Sequence, residues 1–250
     1  MTLIAAMLFG APLAEAAAEP ARVVVVTVTK GYRHESIPTA ERVIGELASS
    51  SNWFRVTTWV REESELATAL SAEALREIDL VMFVNTTGDL PLPDEAAFYA
   101  WLARGGAFVG VHSASDTLHA SDAYLDMLGG EFDGHGPETS ATIVVEAPHP
   151  STAFLGQSIT AFEEYYRIKR FDASKESTLL ALHADTESGE PGLHPLAWCH
   201  RYGEGRVFYT ALGHRIDIWE SPWFRQHLFG GMAWAIAADR PATRRRAVRP

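Results

Sequence analysis

The run Arg22-Val23-Val24-Val25-Val26-Thr27-Val28 constrains this chain more than any other stretch. Its apolar residues are consecutive rather than alternate, so an extended segment here needs cover on both faces. That predicts a central strand of a parallel sheet with helices packed on each side. Leu80-Val81-Met82-Phe83-Val84 and Ala107-Phe108-Val109-Gly110-Val111 read the same way, and Phe54 to Val60 reads as another strand. Helical patterns separate them. Ile37-Pro38 opens one, with Pro in its first turn and Ala40, Val43, Ile44 and Leu47 at helical spacing. Ala67 to Arg76 is a second, and Asp94 to Arg104 is a third, capped by its acid and ended by Gly105-Gly106. Such alternation predicts an α/β fold: a doubly wound, mainly parallel sheet with right-handed crossovers. Ligands of these sheets bind beyond the carboxyl ends of the strands.

Beyond Ser115 the pattern changes. Thr142 to Val145, Thr178 to Leu182, Pro195 to Cys199 and Arg206 to Tyr209 read as short strands between turns, which predicts an antiparallel C-terminal extension. Phe224 to Ala237 reads as a closing amphipathic helix. No linker divides the chain, so one domain is expected over 22–238, followed by a basic tail over 239–250. Residues 1–18 resemble a secretory signal: Thr2 to Leu13 is almost wholly apolar and Ala14-Glu15-Ala16-Ala17-Ala18 offers A-x-A spacing, although the positive n-region is missing. The expectation is a periplasmic or secreted protein, otherwise a cytoplasmic one. The segment is short for a membrane span, so no stable membrane insertion is expected.

Acidic residues outnumber basic ones by 32 to 21, a formal charge of -11. The last eleven residues hold five of the arginines, so the rest of the chain is more acidic still. Such a body repels a polyphosphate backbone, and no nucleic-acid partner is expected. One cysteine, Cys199 in an apolar run, excludes an internal disulfide and a Cys-based zinc cluster and reads as a buried, inert thiol.

The ten histidines are the residues to follow. Three of them, His34, His112 and His214, sit in loops just after apolar strands. The first loop, Lys30-Gly31-Tyr32-Arg33-His34-Glu35-Ser36, offers stacking and hydrogen bonding to a polyhydroxylated ligand, although His34 or Glu35 as a plain helix cap fits equally. In Gly110-Val111-His112-Ser113-Ala114-Ser115 the middle position of a nucleophile-elbow-like turn belongs to His112, which suits a base, an acid or a metal ligand. Leu128 to Pro137 is glycine-rich without phosphate-loop spacing, so no nucleotide cofactor is expected; its glycines predict a loop across the crevice with His135 at the tip. His149-Pro150 reads as a structural turn. In Phe162-Glu163-Glu164-Tyr165-Tyr166, an extended chain puts Glu164 with Tyr166 on one side and Glu163 with Tyr165 on the other. One carboxylate then points to the crevice and the other to solvent, although a solvated pair of acids at a bend fits equally. Gly213-His214-Arg215 closes the set. No H-E-x-x-H or H-x-H spacing appears, so a divalent metal would be gathered from distant loops by His34, His112 and His214; metal-free acid–base work stays open beside it.

Gly31 to Ser36, Gly110 to Ala114, Gly129-Gly130-Glu131-Phe132, Phe162 to Tyr166 and Gly205 to His214, with the Val24 to Thr27 strand, together resemble the ThuA-like (trehalose utilisation) family from about Arg22 to Ala237. The resemblance implies a class I glutamine amidotransferase-like fold, a flavodoxin-like layered sheet. In those amidotransferases the turn after the corresponding strand carries a cysteine nucleophile. Here it carries His112, so a cysteine-dependent glutaminase is not expected. The family is associated with breakdown of trehalose and related disaccharides, often beside oxidoreductases that make 3-keto sugars.

The expectation is a protein acting on a disaccharide or keto-sugar by His/Glu acid–base chemistry, as an isomerase, lyase or hydrolase. His34, His112, Glu164 and His214 are the expected catalytic residues, and Tyr32, Arg33, His135, Tyr166 and Arg215 the expected substrate contacts. A non-catalytic carbohydrate-binding module is the alternative, with Tyr32, Trp219 and Trp223 as stacking surfaces. A Ser113 hydrolase is the weaker one, for want of G-x-S-x-G spacing.

Overall fold

The computed structural model describes residues 19–236, so the signal-like segment and the basic tail lie outside the described residues. In chain order the first half comprises β1 (Ala21–Val26), α1 (Ile37–Ser51), β2 (Phe54–Val60), α2 (Glu63–Ala69), α3 (Ala72–Leu75), β3 (Leu80–Val84), α4 (Glu95–Ala103) and β4 (Ala107–Val111). A short 3-10 helix, His112–Asp116, follows directly, and then α5 (Asp122–Leu128). The second half comprises β5 (Glu131–His135), β6 (Thr139–Val145), β7 (Ser158–Glu163), β8 (Tyr166–Lys169), β9 (Ser177–Ala184), β10 (Pro191–Tyr202), β11 (Gly205–Thr210), α6 (Ile216–Glu220) and α7 (Pro222–Ile236).

One nine-stranded sheet runs β2-β1-β3-β4-β11-β10-β9-β6-β7, and β5 with β8 forms a separate two-stranded ribbon. The first five strands are parallel, and the order of the first four, with β11 in fifth place, is flavodoxin-like. Consecutive apolar residues produce this because both faces are covered. Phe108 of β4 meets Phe83, Phe98 and Tyr124 on one face, joining β3, α4 and α5. On the other face Phe208 of β11 packs so tightly against α7 that a Cβ at Gly231 would lie 2.4 Å from its ring.

Several expectations change. The strand Arg206 to Tyr209, expected in an antiparallel extension, is β11 and pairs parallel to β4. The long excursion through β5 to β10 returns the chain to the centre of the sheet, where β11 is buried like the other parallel strands. The antiparallel extension is β10-β9-β6-β7. The expected helix Ala67 to Arg76 is two, α2 and α3, because Ser71 caps a new start through Ala74. The closing helix begins at Pro222, ahead of Phe224. The glycine-rich segment is not a loop: Gly129, at φ +82, ends α5, and Glu131–His135 is strand β5. Among the described residues no helix is long and apolar enough to cross a membrane.

Candidate functional site

His112 is the first residue past β4, and its backbone is left-handed, φ 51. A non-glycine residue pays roughly 1–2 kcal/mol for that conformation. Tyr209 and Ser115 hydroxyls hold it by donating to the His112 carbonyl, at 2.7 and 3.3 Å. The ring is fully buried, and its Nδ1–H donates to the Ala211 carbonyl at 2.8 Å. That fixes the tautomer and leaves Nε2 with one lone pair. Three polar atoms crowd it: the Tyr166 hydroxyl, which donates at 2.9 Å, His34 Nε2 at 3.1 Å and His214 Nδ1 at 3.3 Å. Glu164 Oε2 lies 3.5 Å away.

The other members arrive from separate strand ends. His34, on the loop between β1 and α1, is buried edge-on against Tyr32 and His112. His214 follows β11; its Nδ1 lies 3.2 Å from Glu164 Oε2 and its Nε2 3.3 Å from Glu138 Oε1. His135 Nδ1, at the end of β5, is 3.1 Å from Glu164 Oε1. One ligand atom each from His34, His112, Glu164 and His214 falls within 4.8 Å of the others.

Burial is the main force on the imidazoles. It pushes His34 down to about 4 and His112 well below the ordinary value, with neighbouring rings adding to the effect. Burial also opposes charge on His214, but its hydrogen bond to Glu164 and the fields of Glu164, Glu163 and Glu138 outweigh it and raise its pKa. Imidazoles converging with one carboxylate form the donor set of Zn²⁺ or a similar ion. The residues present fit such an ion: the Nε2 lone pair of His112 faces a ring nitrogen of His34, a ring nitrogen of His214 and an oxygen of Glu164, and Glu138 supports the outer nitrogen of His214 as second-layer carboxylates do.

A family model described as ThuA, trehalose utilisation, matches residues 22–235. The chain belongs to the ThuA family. A ThuA-like protein from Bacteroides uniformis ATCC 8492 superposes with a TM-score of 0.72 at 20% identity, covering 92% of this chain and 97% of that one. A second, from Parabacteroides merdae ATCC 43184, gives 0.70 at 17%, covering 87% and 90%. A β-galactosidase from Bacillus circulans sp. alkalophilus gives 0.55 at 15%, but this chain covers only 31% of it. At these identities the likeness is one of fold. No curated protein matches.

In this ThuA chain His34, His112, Glu164, His214, Tyr166 and His135 come together as a group. Tyr32, 64% exposed, and Arg215 line an adjoining cleft of about 360 Å³ with Glu35, Glu138, His214 and Asp217. Arg33 lies apart: it is exposed and donates to the Thr27 carbonyl at the end of the first strand. Glu163 does not reach solvent as expected of the second carboxylate; it is fully buried, and burial raises its carboxyl to about 7. Trp219 is buried too, donating to the Gly213 carbonyl at 2.7 Å, so it offers no stacking surface. Ser113 sits behind His34, at its Nδ1, rather than in the cluster. Cys199 is buried on β10 with its thiol pushed up to about 11. Glu138 was not singled out by any motif; it precedes β6 and meets His214 only through the fold.

Proposed function

We propose that this ThuA-family chain is a metal-assisted acid–base enzyme acting on a disaccharide or keto-sugar related to trehalose. The observation that carries the reading is the convergence of one atom each from His34, His112, Glu164 and His214 within 4.8 Å, beside an open cleft. These four residues would hold a divalent ion, which when bound supplies Lewis-acid polarisation of a sugar carbonyl or hydroxyl. His112 is too enclosed to reach a substrate carbon, so its part is to hold. Glu164 turns its Oε1 toward His135, which is 43% exposed in its side chain and stands between the cluster and solvent. His135 is therefore the residue placed to accept a proton next to a keto group and to return it. Return to the former carbonyl carbon, with the hydroxyl proton passing to the former carbonyl oxygen, gives isomerisation, while departure of a glycosidic oxygen from the carbon β to the carbonyl, carrying the proton away, gives elimination. Tyr32 and Arg215 would bind the remainder of the sugar along the cleft.

The test is incubation of the purified protein with a 3-keto-disaccharide, followed by NMR, with and without chelator. Turnover that chelator abolishes and added divalent ion restores supports the reading. Unchanged substrate in both samples contradicts it.

A further inference from the structure

We infer that Glu163 is a positioning residue for this cluster, acting through the Gly213 peptide. The inference rests on the cluster being the working site. Glu163 has a fully buried side chain and, among the described residues, no ion pair. Leaving a carboxylate in such a place is costly where an apolar residue of similar volume would pack. Its two oxygens have separate tasks. Oε1 accepts the N–H of Glu164 at 2.9 Å, and Oε2 accepts the N–H of Gly213 at 3.1 Å. One amide belongs to a cluster member and the other precedes His214.

The carbonyl of Gly213 is held as firmly as its amide. It accepts from Trp219 Nε1 at 2.7 Å, Asn85 Nδ2 at 3.0 Å and Ser36 Oγ at 3.4 Å. Asn85 Nδ2 also donates to Ser36 Oγ at 3.2 Å, and Ser36 stands two residues beyond His34. A single buried residue thus joins the segments that carry His34, Glu164 and His214. Gly213 has φ +110, and a Cβ there would meet Phe224 and Val111 at 3.2 Å, so the junction has no slack. Only a planar carboxylate offers two acceptors to two N–H groups from different segments; a glutamine in its place offers one acceptor and turns its own N–H toward the second donor.

The experiment uses the full chain with zinc ion as the probe. Glu163→Ala is compared with Leu66→Ala, a core truncation in α2 that lowers stability away from the site. Two quantities are read: zinc affinity by calorimetry, and the imidazole NMR signals of His34, His112 and His214, which report ring contacts whether or not an ion binds. The expected result is that Glu163→Ala remains folded, loses about 10–100-fold in zinc affinity as outer-layer changes do, and shifts the His214 ring signals with weaker His214–His112 cross-peaks. Leu66→Ala leaves both readouts at wild-type values. Should Glu163→Ala fail to fold, Glu163→Gln keeps the shape and one acceptor and is expected to show an intermediate loss with the same signal shift. A folded Glu163 variant with wild-type ring signals and wild-type affinity overturns the inference. A wild-type protein that binds no zinc overturns the metal reading alone, and the ring signals then decide the role of Glu163.

Discussion

His34 Nε2 and His112 Nε2 face each other at 3.1 Å, and the second of these nitrogens has its lone pair fixed toward the first by the bond from His112 Nδ1 to Ala211. Tyr166 donates to the same lone pair. A divalent ion held here would take one ligand atom each from His34, His112, Glu164 and His214, and its binding would compete with protons for them.

The most exacting variant is His112→Asn. Asparagine tolerates the left-handed backbone better than other residues with a Cβ, so the turn after β4 is kept while the imidazole is lost. Zinc affinity is expected to fall by more than about a hundredfold, since outer-layer losses alone reach that size. Circular dichroism should report an intact fold. Retained affinity in a folded His112→Asn protein would show that the ion, if any, sits elsewhere.

Glu138→Gln removes the carboxylate from the outer nitrogen of His214 and from Arg215. About a 10–100-fold loss of metal affinity is expected, with little change in thermal midpoint because Glu138 is half-exposed. Metal titration followed by melting separates the two effects. A lower midpoint with unchanged affinity would assign Glu138 to structure only.

Gly213→Ala forces a Cβ into contact with Phe224, Val111 and Trp219 at a backbone angle that side chains rarely adopt. A destabilisation of about 1–3 kcal/mol is expected, read as a lower urea midpoint. Because His214 follows directly, the same variant should weaken zinc binding. A stability loss of that size with wild-type affinity would mean that the loop holds His214 without help from its glycine.

Stability in chelator should fall with acid through a defined window. His149 and the α7 residue His227, both bonded to Ser151, are pushed down to about 4 by burial. In the unfolded chain they titrate near the ordinary value of about 6.5. Between about 6.5 and about 4 the unfolded state therefore binds more protons, and stability drops as pH falls. Each full shift corresponds to roughly 3 kcal/mol. His34 adds in the same direction, while Glu163, raised to about 7, and His214, also raised, oppose it, so the three lowered rings leave a net fall. Urea midpoints measured from pH 7 to pH 4 check this; a flat profile would contradict the burial assigned to these rings.

Much of this was legible because consecutive apolar residues report burial on both faces. Phe54–Val60, Leu80–Val84 and Ala107–Val111 have the bounds read from the runs themselves. The gathering of His34, His112 and His214 followed from their place after such strands. Alternation correctly put Glu164 and Tyr166 together, and both reach His112. Alternation is silent on which side meets solvent, which is why Glu163 was misplaced. Strand direction is likewise set by how a distant segment returns, so β11 looked like its antiparallel neighbours. Glu138 lies in a connection, where no period marks an inward side chain.

We propose that His34, His112, Glu164 and His214 form one divalent-ion site. Calorimetric titration of the chelator-treated protein with zinc ion tests it most directly, with His112→Asn in parallel. One ion per chain, proton release on binding and loss of that binding in the variant are expected. Wild-type protein that takes up no ion, or a variant that binds as the wild type does, would contradict it.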